Sequence, residues 1–263
     1  MKMPVVFVGH GSPMNAIETN HFTEALAGLA KSLPRPKAVC VVSAHWVTRG
    51  SQVLAAAKPR TIHDFYGFPP PLFAVQYPAP GAPDEANRVA GELQIQPDET
   101  WGFDHGAWSV LRHLYPKADI PVFQVSLDEG RSLARHVELG RELAGLRERG
   151  VLILGSGNIV HNLRRLEGQK DATPYPWTVE FDTKVKTAID TRDVAALAAP
   201  NQWGEPLAAL AHPTLEHYVP LLYCMGSTDA RDAVSYPYEG FEYGSLSMRA
   251  VMFGKGNDAG VLS

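Results

Sequence analysis

Cysteine is scarce in this sequence, limited to Cys40 and Cys224 among 263 residues. Cys40 falls in an apolar, strand-like run and Cys224 in Leu221-Leu222-Tyr223-Cys224-Met225, so both read as buried, inert thiols of a reducing cytoplasm. No apolar stretch approaches the roughly 20 residues of a membrane-spanning helix. The N-terminal apolar run is cut off by Gly9-His10, too soon for a signal-peptide core, so export is not expected. Lys/Arg-rich runs are missing and the formal net charge is −4, which argues against nucleic acid or an anionic membrane as partner. A Gly-x-Gly-x-x-Gly motif is missing too, in keeping with a chemistry that uses no nicotinamide or flavin. With no internal repeat, low-complexity tract or linker, residues 1–263 read as a single domain long enough to bury a sizeable core.

What is present is the composition of a globular protein, 45% apolar and 20% charged. Near-continuous apolar runs at Val5 to Val8, Ala38 to Val42, Val53 to Ala56, Pro121 to Val125 and Val151 to Leu154 read as strands covered on both faces. Helical patterns lie between and beyond them, at His21 to Leu33, Asp84 to Ile95, Trp108 to Tyr115, Arg131 to Arg149 and Thr178 to Thr191. Strand alternating with helix predicts an α/β fold with a mostly parallel central sheet flanked by helices on both faces.

Three of the strand-like runs deliver a histidine into the loop that follows. His10 follows Val5 to Val8, His45 follows Ala38 to Val42, and His161 follows Val151 to Leu154 after a Gly-Ser-Gly-Asn turn. The carboxyl ends of parallel strands share one sheet edge, where α/β proteins bind ligands, so the three imidazoles are expected to converge there. Converging neutral imidazoles suit a divalent transition metal. His217 joins them as a candidate, in the first turn of a helix that Thr214 is expected to cap, with Glu216 beside it. His105 falls in a Gly-flanked loop before the helix at Trp108, where backbone can approach a ligand. His212 reads as a loop residue, and His21, His113 and His136 as surface or packing residues of helices.

The segment Lys58 to Pro83 has seven prolines and the aromatics Phe65, Tyr66, Phe68, Phe73 and Tyr77, with few regular elements expected. An ordered loop of this length is more often functional than idle. It is expected to cover the site, with His63 and Tyr66 facing the substrate.

The ordered segments HGSPM, VVSAHW, TIHDFYGFP, YPAPG, WGFDHGAW, GSGNIVHNL, PYPW, EHYVPLLY and GSLSM together resemble the 4,5-DOPA extradiol dioxygenases. These are class III ring-cleaving dioxygenases related to the catalytic subunit of protocatechuate 4,5-dioxygenase. The resemblance runs from near the N-terminus to about Phe253. It implies that His10 and His45 bind a metal ion and that His217 is a third ligand. His161 matches the catalytic histidine, which some members place at or near the metal as a fourth ligand. His105 matches a pocket histidine that assists substrate binding or proton transfer. The wider class uses two histidines and a glutamate, so Glu216 competes with His217 for the third position; the subgroup pattern favours His217. Tyr66 and Arg249 are local departures that bear on the substrate side chain.

The resemblance implies a catechol and O2 as substrates and Fe(II) as the working ion, with Zn(II) expected in the isolated protein because it binds more tightly. His161 is the expected general base, since an imidazole titrates near neutral pH. The same histidines would also suit a zinc hydrolase, a metal chelatase or carrier, or a binding module without turnover. Oxygen uptake with a catechol separates the first reading from all three.

Overall fold

Alternate residues of the first strand divide between two cores. Val5 and Phe7 pack into the cluster on one face of the central sheet, Val6 and Val8 into the cluster on the other. That is the two-residue period of a strand, and with both faces covered every position is apolar. The computed structural model describes residues 2–255.

The central sheet is formed by β1 (Val5–Gly9), β2 (Ala38–Ser43), β3 (Val122–Gln124), β4 (Val151–Gly157), β5 (Val234–Tyr238) and β6 (Ala250–Phe253). Their spatial order is β5-β6-β1-β4-β2-β3. The neighbours β1, β4, β2 and β3 pair in parallel, whereas β6 runs antiparallel to both β1 and β5. The sheet is therefore mixed, a parallel core with an antiparallel margin.

Helices cover both faces, as the alternating pattern predicts. On one side lie α1 (His21–Ser32) and α3 (His105–Leu114), which contribute Phe22, Leu26, Trp108 and Leu111. On the other lie α2 (Pro83–Leu93), α4 (Leu133–Leu143), α5 (Pro176–Asp190), α6 (Glu205–Ala211) and α7 (Val219–Gly226). Each large aliphatic or aromatic side chain buried this way contributes about 1.5–3 kcal/mol.

Several local expectations need correction. The run at Val53 forms a short strand, Gln52–Leu54, but it pairs with Gln96–Asp98 outside the central sheet. The helix expected over Arg131 to Arg149 ends at Leu143 and tightens into a 3-10 turn, Ala144–Arg147. The helix expected from Trp108 begins at His105, because the Asp104 carboxylate accepts the Ala107 N–H and caps it. Thr214 caps no helix. Residues 213–218 form turns, α7 starts at Val219, and the Thr214 hydroxyl donates instead to Glu216. The segment Lys58 to Pro83 holds one short strand, Arg60–Thr61, and one helical turn, Pro70–Phe73.

The parallel register fixes where the histidines emerge. Gly9 pairs with Gly157, and Ser156 pairs with Ser43. The carboxyl ends of β1, β4 and β2 are thus level, and His10, His45 and His161 leave from one edge.

Candidate metal centre

His10, the first residue beyond β1, is buried with its Nδ1 2.9 Å from Ser156 Oγ. The Ser156 hydroxyl proton is already committed to the Gly106 carbonyl at 2.6 Å. Ser156 therefore accepts, His10 carries its proton on Nδ1, and Nε2 presents a lone pair to the cavity. The tautomer follows from the hydrogen-bond network alone.

His45 is held by the turn after β2. Its peptide N–H donates to Ser43 Oγ at 3.2 Å, and Ser43 donates in turn to Asp104 at 2.6 Å. Its Nδ1 lies 3.3 Å from Asp64 Oδ2, and its Nε2 lies 3.1 Å from His10 Nε2. Two nitrogens each about 2.1 Å from one ion, at nearly a right angle, stand about 3 Å apart. Gly106 makes room for this ring, since a Cβ there would fall 2.9 Å from His45 Cδ2 and 2.6 Å from Ser43 Oγ.

His217 reaches the same place from the turn before α7. The Asn158 N–H donates to the His217 carbonyl at 2.8 Å, and Gly157 permits the approach. Its ring centre lies 5.3 Å from that of His10 and 5.0 Å from that of His45, which are themselves 5.0 Å apart. Three imidazoles around one tetrahedral ion hold their ring centres about 5 Å apart. Glu216 Oε1 accepts from His217 Nδ1 at 3.1 Å, again leaving Nε2 free. Glu216 itself faces a separate groove beside His136 and Leu215.

His161 lies flat against His217, and its backbone N–H donates to the Ala211 carbonyl at 2.9 Å. Among the described residues no hydrogen bond reaches its ring nitrogens. His105, at the start of α3, has Nδ1 3.0 Å from Asp64 Oδ2 and its ring centre 3.9 Å from that of His45. Donor atoms of His10, His45 and His105 lie within 4.8 Å of one another, and so do those of His161, Glu216 and His217. The five histidines of these two groups line one cavity, and Glu216 lies behind His217.

Burial keeps the rings of His10, His45, His161 and His217 neutral. Burial, then the neighbouring imidazoles, holds His10 and His217 well below the usual histidine range. His45 is lowered by burial and by His105, against the opposing pull of Asp64. His161 is pushed down to about 3 by burial and then by His212 and His105. Burial raises the Asp64 carboxyl, but hydrogen bonding to His105 and the proximity of the His105 and His45 rings outweigh it and bring it to about 2. Neutral imidazoles with free nitrogens are the donor set a divalent transition metal takes, so the residues fit such an ion.

The cavity measures about 540 Å³, with Phe65, Phe68, Leu163, Leu166, Tyr243 and Leu246 as its apolar wall. Tyr66 stands at its mouth, 93% exposed. His63 does not line it. Its ring packs against Phe65, Phe73 and Trp108, with Nε2 2.9 Å from the Val75 carbonyl, so its expected place beside the substrate is corrected. Sequence reasoning passed over Asp64, although it sits between the two residues singled out in that stretch, and a carboxylate within a histidine-bearing motif was the available signal. It also missed Ser156, whose role depends on a contact with another strand.

A mixed α/β fold that gathers neutral imidazoles under an aromatic-walled cavity defines a non-haem metal-dependent enzyme for small aromatic substrates. Residues 3–253 match the family described as the catalytic LigB subunit of aromatic ring-opening dioxygenase. The chain belongs to that family and is an extradiol ring-cleaving dioxygenase. It is 46% identical over 258 residues to the 4,5-DOPA dioxygenase extradiol of Escherichia coli K12, covering 96% of this chain and 95% of the relative. The Beta vulgaris protein of the same name is 35% identical, covering 94% of this chain and 95% of its own. A solved crystal structure of an uncharacterized Escherichia coli K12 protein superposes with TM-score 0.83 at 42% identity, covering 96% of this chain and all of that one.

Proposed function

We propose that His10, His45 and His217 hold one Fe(II) ion through Nε2, with His161 as the general base and His105 as an assisting pocket histidine. The observation that carries this reading is the triangle of ring centres at 5.0, 5.0 and 5.3 Å, in which each Nδ1 faces its own oxygen partner. When bound, Fe(II) supplies open coordination positions for both catechol oxygens and for O2. The substrate ring lies between the imidazole floor and the wall of Phe65 and Phe68, which excludes water from the reacting face. Burial holds His161 well below the near-neutral range expected of it, so the ring is neutral. Its free nitrogen accepts a proton from a catechol hydroxyl, while His105 stands across the floor to assist substrate binding or a later proton transfer.

The names of the relatives support a DOPA-like catechol, and Tyr66 at the mouth is where a side chain on the ring would emerge. Zn(II) is the expected occupant after isolation in air, since it binds more tightly than Fe(II). The unpaired, buried thiols of Cys40 and Cys224 support a reducing, cytoplasmic setting. The match over residues 3–253 supports reading the chain as one catalytic domain.

Anaerobic reconstitution with Fe(II), followed by a panel of catechols, tests the proposal. Oxygen uptake with a coloured ring-opened product is expected. Metal retained by a His10→Ala/His45→Ala double variant would overturn the ligand assignment.

A further inference from the structure

Asp64 belongs to the wall loop, yet its carboxylate turns inward, with its side chain 19% exposed. Oδ1 accepts the backbone N–H of His105 at 2.8 Å, which ties the loop to the first residue of α3. Oδ2 stands 3.0 Å from Nδ1 of His105 and 3.3 Å from Nδ1 of His45. His105 Nδ1 is buried and has no hydrogen-bond partner among the described residues, so Oδ2 meets it as a close charge contact and not as an aligned hydrogen bond. One carboxylate thus meets three nitrogens from two different elements.

We infer that Asp64 is a positioning residue that sets the tautomer and ring orientation of His45 and His105 together, and so tunes the metal affinity of this cluster. The inference rests on the ligand assignment proposed above. The negative charge of Oδ2 beside both Nδ1 atoms favours a proton on each of them, which leaves each Nε2 as a lone pair facing the cavity floor. His10 and His217 are oriented in the same way, by Ser156 and Glu216. Asp64 differs in serving two rings at once, one a proposed ligand and the other the assisting histidine.

The chemistry demands a carboxylate. Three donors converge, and only a group whose oxygens are all acceptors satisfies them. Asparagine offers one acceptor oxygen and two N–H donors. If its oxygen keeps the His105 N–H, its NH2 faces two Nδ1 atoms and drives both rings towards the tautomer with the proton on Nε2. A protonated Nε2 cannot ligate. The same loop carries Phe65 and Tyr66, so the anchor that orients the rings also fixes the wall beside the substrate.

The test measures Zn(II) and Co(II) affinity by competition with a chromogenic chelator, alongside the melting temperature of the metal-free chain. Asp64→Asn is expected to weaken affinity about 10- to 100-fold, the usual effect of removing a partner of a metal-ligating histidine. The Co(II) visible spectrum should change in band position or intensity. The metal-free melting temperature should stay near that of the parent, and Asp64→Glu should recover part of the affinity. Parent-like affinity and spectrum in both Asp64→Asn and Asp64→Ala would overturn the inference. So would an affinity loss matched by an equal loss of metal-free stability that Asp64→Glu does not recover, since that marks a purely structural role. His45→Ala measured in parallel keeps the two readings apart. If it retains metal, the ligand assignment fails; if it loses metal while Asp64→Asn does not, only the role of Asp64 fails.

Discussion

The imidazole of His161 lies on that of His217 with ring centres 3.4 Å apart and planes within 6° of parallel. Stacked rings in parallel planes present their nitrogens side by side, so the two do not converge head-on upon one point. If His217 is a ligand, His161 is set beside the ion, where a proton acceptor for bound substrate belongs. His161→Gln is therefore expected to retain metal and catechol binding while turnover falls by roughly 10²–10⁴-fold. Metal analysis combined with single-turnover kinetics checks this. Metal lost together with activity would make His161 a ligand.

Glu216 and His217 should separate cleanly. Glu216 Oε1 accepts from both the Thr214 hydroxyl and His217 Nδ1, so it orients the ring from outside the cavity. His217→Ala is expected to abolish stoichiometric metal binding. Glu216→Gln should keep the metal with affinity lowered about 10- to 100-fold. Equilibrium dialysis of the two variants decides the third ligand, and the reverse ranking would assign it to Glu216.

Tyr66 and His63 sit three residues apart on one loop and should respond differently. Tyr66, almost wholly exposed at the cavity mouth, contributes little to stability, within about 0.5 kcal/mol for an exposed position. Tyr66→Gly is expected to change the relative kcat/KM of catechols with long side chains more than that of unsubstituted catechol. His63, packed among Phe65, Phe73 and Trp108, should lower the melting temperature when replaced by Ala. A steady-state panel with parallel thermal melts checks both.

The backbone of the site was legible because it rests on local pattern. Apolar runs marked β1, β2 and β4, and parallel pairing places the residues that follow them on one edge, so His10, His45 and His161 meet as the strand-then-histidine repeat implied. One local cap and the features set by contacts between distant segments were not legible. His105 begins a helix because the Asp104 side chain turns back on Ala107, a local cap that the Gly-flanked pattern masked. His217 stands in a turn rather than a helix, held by the Asn158 N–H of another element. His63 and Asp64 lie adjacent in sequence and point opposite ways, and only the packing of Trp108 and α3 decides which enters the cavity.

Away from the site, a buried ion pair gives the fold a defined response to acid. Arg147, 1% exposed, forks onto both Asp232 oxygens at 2.6 Å and also donates to the Met3 and Ser227 carbonyls. Burial raises the Asp232 carboxyl, but the Arg147 hydrogen bond and charge outweigh it, so its pKa is lowered in the folded chain. A lowered folded-state pKa contributes stability that is complete above the unfolded value, about 3.9, and lost as pH falls through the folded value. Asp232→Asn should therefore cost about 3–5 kcal/mol at neutral pH by stranding a buried guanidinium. Its deficit should shrink below about pH 4, where the parent loses the same contribution. Denaturant melts between pH 3 and 7 test this, and a deficit independent of pH would refute it.

Gly157 ties the fold to the chemistry most directly. A Cβ there would fall 2.1 Å from the His217 carbonyl oxygen, and that obstacle is backbone, which cannot swing aside. Gly157→Ala must push the turn at 213–218 away from β4, and the His217 ring moves with it. Gly155→Ala makes a similar clash one pleat earlier, with Cys224 Sγ at 2.5 Å and the Pro220 carbonyl at 2.8 Å, but its pressure falls on α7. Both variants should lose about 1–3 kcal/mol, as overpacked cores do. They should part company on metal. Gly157→Ala is expected to bind Zn(II) far more weakly than Gly155→Ala at matched stability, because only the first displaces a proposed ligand. Chelator competition on the two folded variants reads the difference, and equal affinities would show that the His217 turn tolerates displacement and that its close seat on β4 serves packing alone.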